Sequence, residues 1–258
     1  MAVTIKTKEE IAILRECGRN LAYILQEVCN AIKPGVATDE LNDLVNKLAK
    51  KLGDIPSTLN YKPKGAKRAY PASICVSIND EIVHGIPNEN PKILKDGDIV
   101  SLDMCLTHKG LVTDSAVTIP VGKVDSISNK LIAVTKEALY SGIKVAKGNK
   151  TTGDIGYAVE RVAKANGFSV VEELCGHGVG YDVHEDPYVP NYGERGRGDR
   201  LKPGMVIAIE PMLNVGSKDI FIDKDGYTFK TKDGSRSAHF EHTLLITNGE
   251  PEILTKIK

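Results

Sequence analysis

Apolar positions recur at helical spacing near the start of the chain, where Ile11, Leu14, Leu21, Leu25, Val28 and Ile32 fall on one face of a long predicted helix. Thr7 and Glu10 form a capping box at its start, and Pro34-Gly35 ends it. A second helix is expected with Thr38 as its cap, Leu41, Leu44, Val45, Leu48 and Leu52 on its buried face, and Gly53 as the left-handed residue past its end. From Ile55 to Ile119 the period shortens to that of strands, with alternation over residues 72–78 before a tight Asn79-Asp80 turn. Ser126 or Ser128 starts a third helix running to about Ala146, and Thr152 a fourth that stops at Gly167. Further strands are predicted over residues 169–174, 204–210, 220–230 around Lys224-Asp225-Gly226, and 238–247.

The pattern repeats. A shift of 114 residues lays Lys33 on Lys147, Thr38 on Thr152, Leu41 on Ile155, Val45 on Val159, Ala49-Lys50 on Ala163-Lys164 and Gly53 on Gly167. Apolar positions of two amphipathic helices align at some offset by chance, but the coincident Thr, Ala-Lys pair and terminal Gly favour a duplicated half. The expectation is one structural domain, residues 1–258, with halves at roughly 7–120 and 121–250. Their strands would join into one curved sheet with helices outside and a site on the inner face between the halves.

Residues 99–119 read as a β-hairpin turning at His108-Lys109-Gly110, with carboxylates at Asp103 and Asp114. A two-residue loop at His108-Lys109 places the two acids directly opposite, and one at Lys109-Gly110 makes them diagonal neighbours on one face. Like charges at that spacing in a half-buried sheet call for a cation between them. Glu210 closes an apolar run at 205–209, and Glu241 precedes another at 243–246. Neither run has an interior Lys or Arg to neutralise its acid, and a desolvated carboxylate alone costs several kcal/mol. With His177 in Cys175-Gly176-His177-Gly178-Val179-Gly180, these acids make an oxygen-rich donor set for two divalent ions such as Mn²⁺, Fe²⁺ or Co²⁺. The same glycines suggest a phosphate loop, but no helical pattern follows them. His84 and His184, flanked by Gly and Pro, are expected in loops at a cleft mouth, and His108 and His239 as turn and strand-face residues.

Bulk properties narrow the function. Lys plus Arg and Asp plus Glu number 34 each, so net charge offers no argument for nucleic acid or an anionic membrane. No stretch approaches a membrane span and the first residues lack an apolar signal core, so a cytoplasmic protein is expected. Five cysteines without close pairs fit reduced thiols.

Taken together, residues 77–87, 97–103, Thr113-Asp114-Ser115, 175–180, Ile209-Glu210-Pro211-Met212 and Phe240-Glu241-His242-Thr243 resemble the type I methionine aminopeptidases. The resemblance spans essentially the whole chain. It implies the α+β pita-bread fold with pseudo-twofold halves, and removal of the initiator methionine from the N-termini of nascent proteins by a monomer, with a small second residue preferred. Asp103 would chelate one ion, Asp114 and Glu241 would bridge both, and His177 with Glu210 would complete the other. His84 would contact the nitrogen of the scissile bond, His184 its carbonyl oxygen, and Glu210 would transfer the proton. Tyr61, Tyr70, Cys75, Val183 and Tyr227 would line the methionine pocket, though Val183 and Tyr227 stand where relatives often carry Phe and Trp. Lys62-Pro63-Lys64-Gly65-Ala66-Lys67-Arg68 is longer and more basic than the usual connection; it reads as a solvated loop, with contact to ribosomal RNA as the sharper expectation. The rivals are a proline-specific aminopeptidase on the same fold, which usually carries an extra N-terminal domain, and a metal-free binding module, which has typically lost ligands. A type II relative would carry a large insert between His177 and Glu210, where only 32 residues stand.

Overall fold

The computed structural model describes residues 3–256, so the expectations for Met1, Ala2 and the last two positions of the chain lie outside the described residues. Helices α1 (Lys8–Ala31) and α2 (Thr38–Leu52) come first, then strands β1 (Ile55–Pro56), β2 (Cys75–Ile78), β3 (Glu81–Val83), β4 (Ile99–His108) and β5 (Leu111–Pro120). Helices α3 (Ser126–Val145) and α4 (Thr152–Asn166) follow. They lead into β6 (Ser169–Val170), β7 (Cys175–Gly178), β8 (Glu185–Pro190), β9 (Val206–Ile209), β10 (Met212–Asn214), β11 (Ile220–Ile222), β12 (Phe229–Thr231), β13 (Ser237–His239), β14 (Glu241–Leu245) and β15 (Glu252–Ile253).

Thr7 caps α1 through its hydroxyl, and Glu10 returns the bond to the Thr7 amide at 2.7 Å. At α2 the expected cap is displaced by one residue. Ala37 occupies the N-cap, its amide satisfied by Glu40 at 3.0 Å, while the Thr38 hydroxyl donates to the Pro87 carbonyl at 2.7 Å. Thr151 likewise caps α4 one residue before Thr152. Both helices end on a left-handed glycine, Gly53 and Gly167.

Nine strands form the main sheet in the order β1-β4-β5-β14-β9-β7-β8, with β2 beside β4 and β15 beside β14. Two three-stranded sheets, β13-β10-β6 and β11-β12-β3, complete the strands. Every strand pairing among the described residues is antiparallel, and β14 against β5 joins the two helix-pair-plus-strands segments into one sheet. The side-chain alternation of a strand sends Val100, Leu102, Met104 and Leu106 into a core with α1 and α2. On the other side of the seam, Ile207, Ile209 and Leu244 pack with α3 and α4. The residues between them along each strand, including Asp103 and Glu241, therefore face away from the helices. Several predicted strands are shorter than their apolar runs: 169–174 contracts to β6, 220–230 splits at its turn, and 238–247 breaks at Phe240.

Candidate metal centre

The hairpin turns at Lys109-Gly110, both with positive φ (48° and 82°), as a two-residue type I′ loop requires. His108 therefore pairs with Leu111, Asp103 with Ala116 and Cys105 with Asp114, so the two acids are diagonal neighbours. Across the seam Ala116 pairs with Glu241. Ala116 thus stands in one row between Asp103 and Glu241, with Asp114 on the same face one step along its strand. Glu210 follows Ile209, which pairs with His242, so Glu210 extends that row beside Glu241. His177 sits at a register shift in β7 between Gly176 and Gly178, and its Nδ1 lies 2.9 Å from the Gly178 carbonyl. That contact leaves Nε2 toward the acids, 3.3 Å from Glu210 Oε1 and 3.9 Å from Asp114 Oδ2. Donor atoms of Asp114, His177 and Glu241 all lie within 4.8 Å of one another. Thr243 supports the seam by accepting from the Asp114 amide at 2.9 Å and donating to its carbonyl at 2.7 Å.

Burial governs the electrostatics. Desolvation pushes the Asp114 carboxyl up to about 6 against a hydrogen bond from Cys105 that lowers it. It also raises Asp103, Glu210 and Glu241 well above the ordinary carboxylate range, and the neighbouring acids add to the rise. The same loss of water brings His177 down to about 3, so its imidazole is neutral and free to donate a lone pair. Asp114 Oδ1 and Glu241 Oε1 are buried with no hydrogen-bond partner, and among the described residues no Lys or Arg pairs with any of the four acids. Four carboxyls, two of them with an orphaned oxygen, and one neutral imidazole are a donor set that suits a divalent cation.

Two cavities flank this cluster. The larger, about 740 Å³, is walled by Tyr61, Tyr70, Cys75, Val183 and Tyr227, all five of the predicted pocket residues, and reaches Asp103 and Asp114. Tyr70 donates to the Gly85 carbonyl at 2.7 Å and meets Tyr227 edge-on with centroids 5.2 Å apart. Residues 63–68 form part of the same wall while Lys62, Lys64, Gly65, Lys67 and Arg68 are exposed to solvent, with Arg68 paired to Glu89. The smaller cavity, about 400 Å³, opens onto His177 and Glu210. His84 and His184 border both. His184 Nδ1 lies 2.6 Å from the Tyr61 hydroxyl, and its ring is 4.4 Å from that of His177. His84 is held with φ at 60° at the end of β3.

One residue near the cluster escapes the sequence reading. His239, expected merely on a strand face, is 1 % exposed with neither ring nitrogen partnered, and its Nε2 lies 3.8 Å from Glu210 Oε2. Its position two residues before Glu241 on a different strand was the available signal, hidden by the break at Phe240.

Residues 12–248 match the model of metallopeptidase family M24. The chain is 45 % identical to methionine aminopeptidase 1 of Bacillus subtilis, over 99 % of this chain and all of that one. Its structure overlays the crystal structure of a methionine aminopeptidase from Thermotoga maritima with a TM-score of 0.95 at 41 % identity, covering 99 % of this chain and 100 % of the other. A prolidase from Pyrococcus horikoshii shares the fold at a TM-score of 0.75 and 24 % identity, with 98 % of this chain covering 64 % of that one.

Proposed function

Because the chain belongs to metallopeptidase family M24, and within it to the methionine aminopeptidases, we propose that Asp103, Asp114, His177, Glu210 and Glu241 hold two divalent ions between the cavities. The enzyme removes the N-terminal methionine of proteins, the activity for which its full-length relatives are named. The observation that carries the metal reading is the ring of buried acids around a neutral imidazole, with orphaned oxygens and no paired Lys or Arg. Carboxylates so placed are stable as anions only beside cationic charge. Asp103 would hold one ion, Asp114 and Glu241 would contribute to both, and His177 with Glu210 would complete the second; the oxygen-rich set suits Mn²⁺, Fe²⁺ or Co²⁺. When bound, the ions supply an acidified water and Lewis-acid stabilisation of the developing oxyanion.

The chain's own groups do the rest. The methionine side chain enters the apolar cavity lined by Tyr61, Tyr70, Cys75, Val183 and Tyr227, which sets the bond to be cut at the boundary bordered by His84 and His184. His84 there contacts the scissile nitrogen and His184 the carbonyl oxygen. Glu210, on the small-cavity side, takes the proton from the attacking water and delivers it to the leaving amine. One chain supplies the whole donor set, and the reading keeps a monomer with a single catalytic domain, residues 1–258, and halves at roughly 7–120 and 121–250. Five free thiols, and the lack of any described helix long and apolar enough to cross a membrane, fit a cytoplasmic setting.

Metal-stripped protein reconstituted with each ion in turn tests this. Cleavage of Met-Ala-Ser is expected only with metal restored, at two ions per chain, and Asp114→Asn should lose about a thousandfold in turnover. Full activity of stripped protein, or preference for a Pro-containing dipeptide over Met-Ala-Ser, would overturn it. The basic loop adds a partner: Lys64 and Lys67 stand at the cavity rim and suit a ribosomal RNA surface near emerging N-termini. Lys64→Glu with Lys67→Glu should weaken ribosome co-sedimentation in a salt-dependent way, and unchanged sedimentation would remove that contact.

A further inference from the structure

The amino-terminal arm carries a buried charge that the chemistry above does not use. Lys6 and Glu185 form an ion pair at 2.8 Å with side-chain exposures of 0 % and 3 %. Every acceptor position on Glu185 is directed at one of two segments. Oε2 takes the Lys6 ammonium and, at 2.7 Å, the Thr4 hydroxyl; Oε1 takes the backbone amides of Tyr181 and Asp182. The Lys6 ammonium also lies 3.9 Å above the Tyr181 ring, whose hydroxyl donates to Glu10 at 2.7 Å. A Cβ on Gly180 would meet Lys6 Cε at 2.4 Å, so the arm is packed directly on the loop. The Lys6 amide is tied to the Gly204 carbonyl at 2.9 Å, which fixes the arm to the base of β9.

The loop held in this way, residues 180–185, is the one that presents Val183 to the large cavity and His184 to both cavities. We infer that Lys6 is a positioning residue for His184: its buried ammonium holds the Glu185 carboxylate, which through the Tyr181 and Asp182 amides sets the loop conformation and thereby the reach of His184. This rests on the reading of His184 as the contact to the scissile carbonyl. A carboxylate taken out of water keeps its charge only with a partner, so removal of the ammonium frees Glu185 to seek solvent and carries the loop with it. A displacement of about 1 Å at a substrate-contacting group costs up to about a hundredfold in rate. None of the proposed metal donors lies in the arm or the loop.

The test compares Lys6→Met, Lys6→Arg, His184→Ala and the Lys6→Met/His184→Ala double variant in the manganese-loaded enzyme. The readouts are kcat and KM on Met-Ala-Ser, with manganese affinity measured by calorimetry. Lys6→Met is expected to lower kcat between about ten- and a hundredfold while manganese affinity stays within about twofold, and Lys6→Arg should restore most of the rate. In the His184→Ala background the Lys6 substitution should change kcat by less than about twofold, because the group it positions is gone. Lys6→Met/Glu185→Met, in which both buried charges are removed together, keeps the comparison available if a lone charge prevents folding, and is expected to show the same loss. Wild-type turnover in Lys6→Met, or a loss that multiplies in full with that of His184→Ala, would overturn the positioning role and leave the reading of His184 intact. Unchanged kcat in His184→Ala alone would instead overturn that reading.

Discussion

On the hairpin, Asp103 and Asp114 stand within two ten-residue strands paired residue by residue from Ile99–Pro120 to His108–Leu111. Across the seam, His177 sits at a register shift in a four-residue strand and Glu210 follows the last residue of another. Both sides supply donors to one cluster, but the first holds them by a local ladder and the second by close tertiary contact. The difference predicts where the site is brittle: backbone changes in β7 should be far more damaging than changes in the hairpin turn.

Gly178→Ala probes the brittle side. A Cβ there would lie 2.2 Å from the Asp186 carbonyl oxygen, a backbone atom that cannot step aside, so β7 and β8 must separate beside His177. The expected cost is about 3 kcal/mol, read as a thermal midpoint lower by roughly 6 to 12 °C, together with loss of most turnover. A midpoint and rate close to wild type would show that β7 is held no more tightly than the hairpin.

A smaller effect separates the shared charge of the two sides from their backbones. In metal-free protein the Asp114 carboxyl is raised from 3.8 to about 6, chiefly by desolvation, and Glu210 is raised for the same first reason. The folded state then holds protons that the unfolded chain has released. Stability from these groups is present below the unfolded value and is lost as pH rises through the folded one. The unfolding free energy of stripped protein, read from denaturant midpoints, should therefore fall as pH rises from about 4 through 6, by on the order of 3 kcal/mol from Asp114, and saturating Mn²⁺ should abolish the fall. Asp114→Asn and Glu210→Gln should each flatten part of it; if only one did, the cluster would not be electrostatically shared.

The smallest effect tests the robust side. Lys109 adopts a left-handed φ in the type I′ turn, where Asn is preferred, and its pair with Glu16 is exposed. Lys109→Asn should raise stability by about 0.5 kcal/mol with turnover unchanged, as read from the denaturant midpoint.

The same contrast explains what the sequence made legible. Helices α1, α2 and α4 announce themselves by apolar spacing, the last two also by a terminal Gly, and the hairpin by its β-branched arms, because those signals are local. Its register stayed open between two loops, since only the backbone at Lys109-Gly110 selects one. Strands β7 and β8 left no such trace: Cys175-Gly176-His177-Gly178 has glycines where alternation would show, and Glu185–Pro190 carries two prolines and two acids. Their pairing is imposed by neighbours distant in the chain. Nothing in the residues around Glu185 marks it as interior; its buried partner is Lys6, 179 residues away. His239 carries a signal only in its two-residue spacing from Glu241; its approach to Glu210 is set by strand neighbours distant in the chain.

Ala116, flanked in its row by Asp103 and Glu241, contributes no donor and sets the clearance in which they converge. A chain with every proposed ligand intact but leucine at this position would keep the signature of its family while filling with hydrocarbon the space proposed for the ions. Whether a relative on this scaffold is a hydrolase or an inert binder can therefore be decided by a methyl group that coordinates nothing.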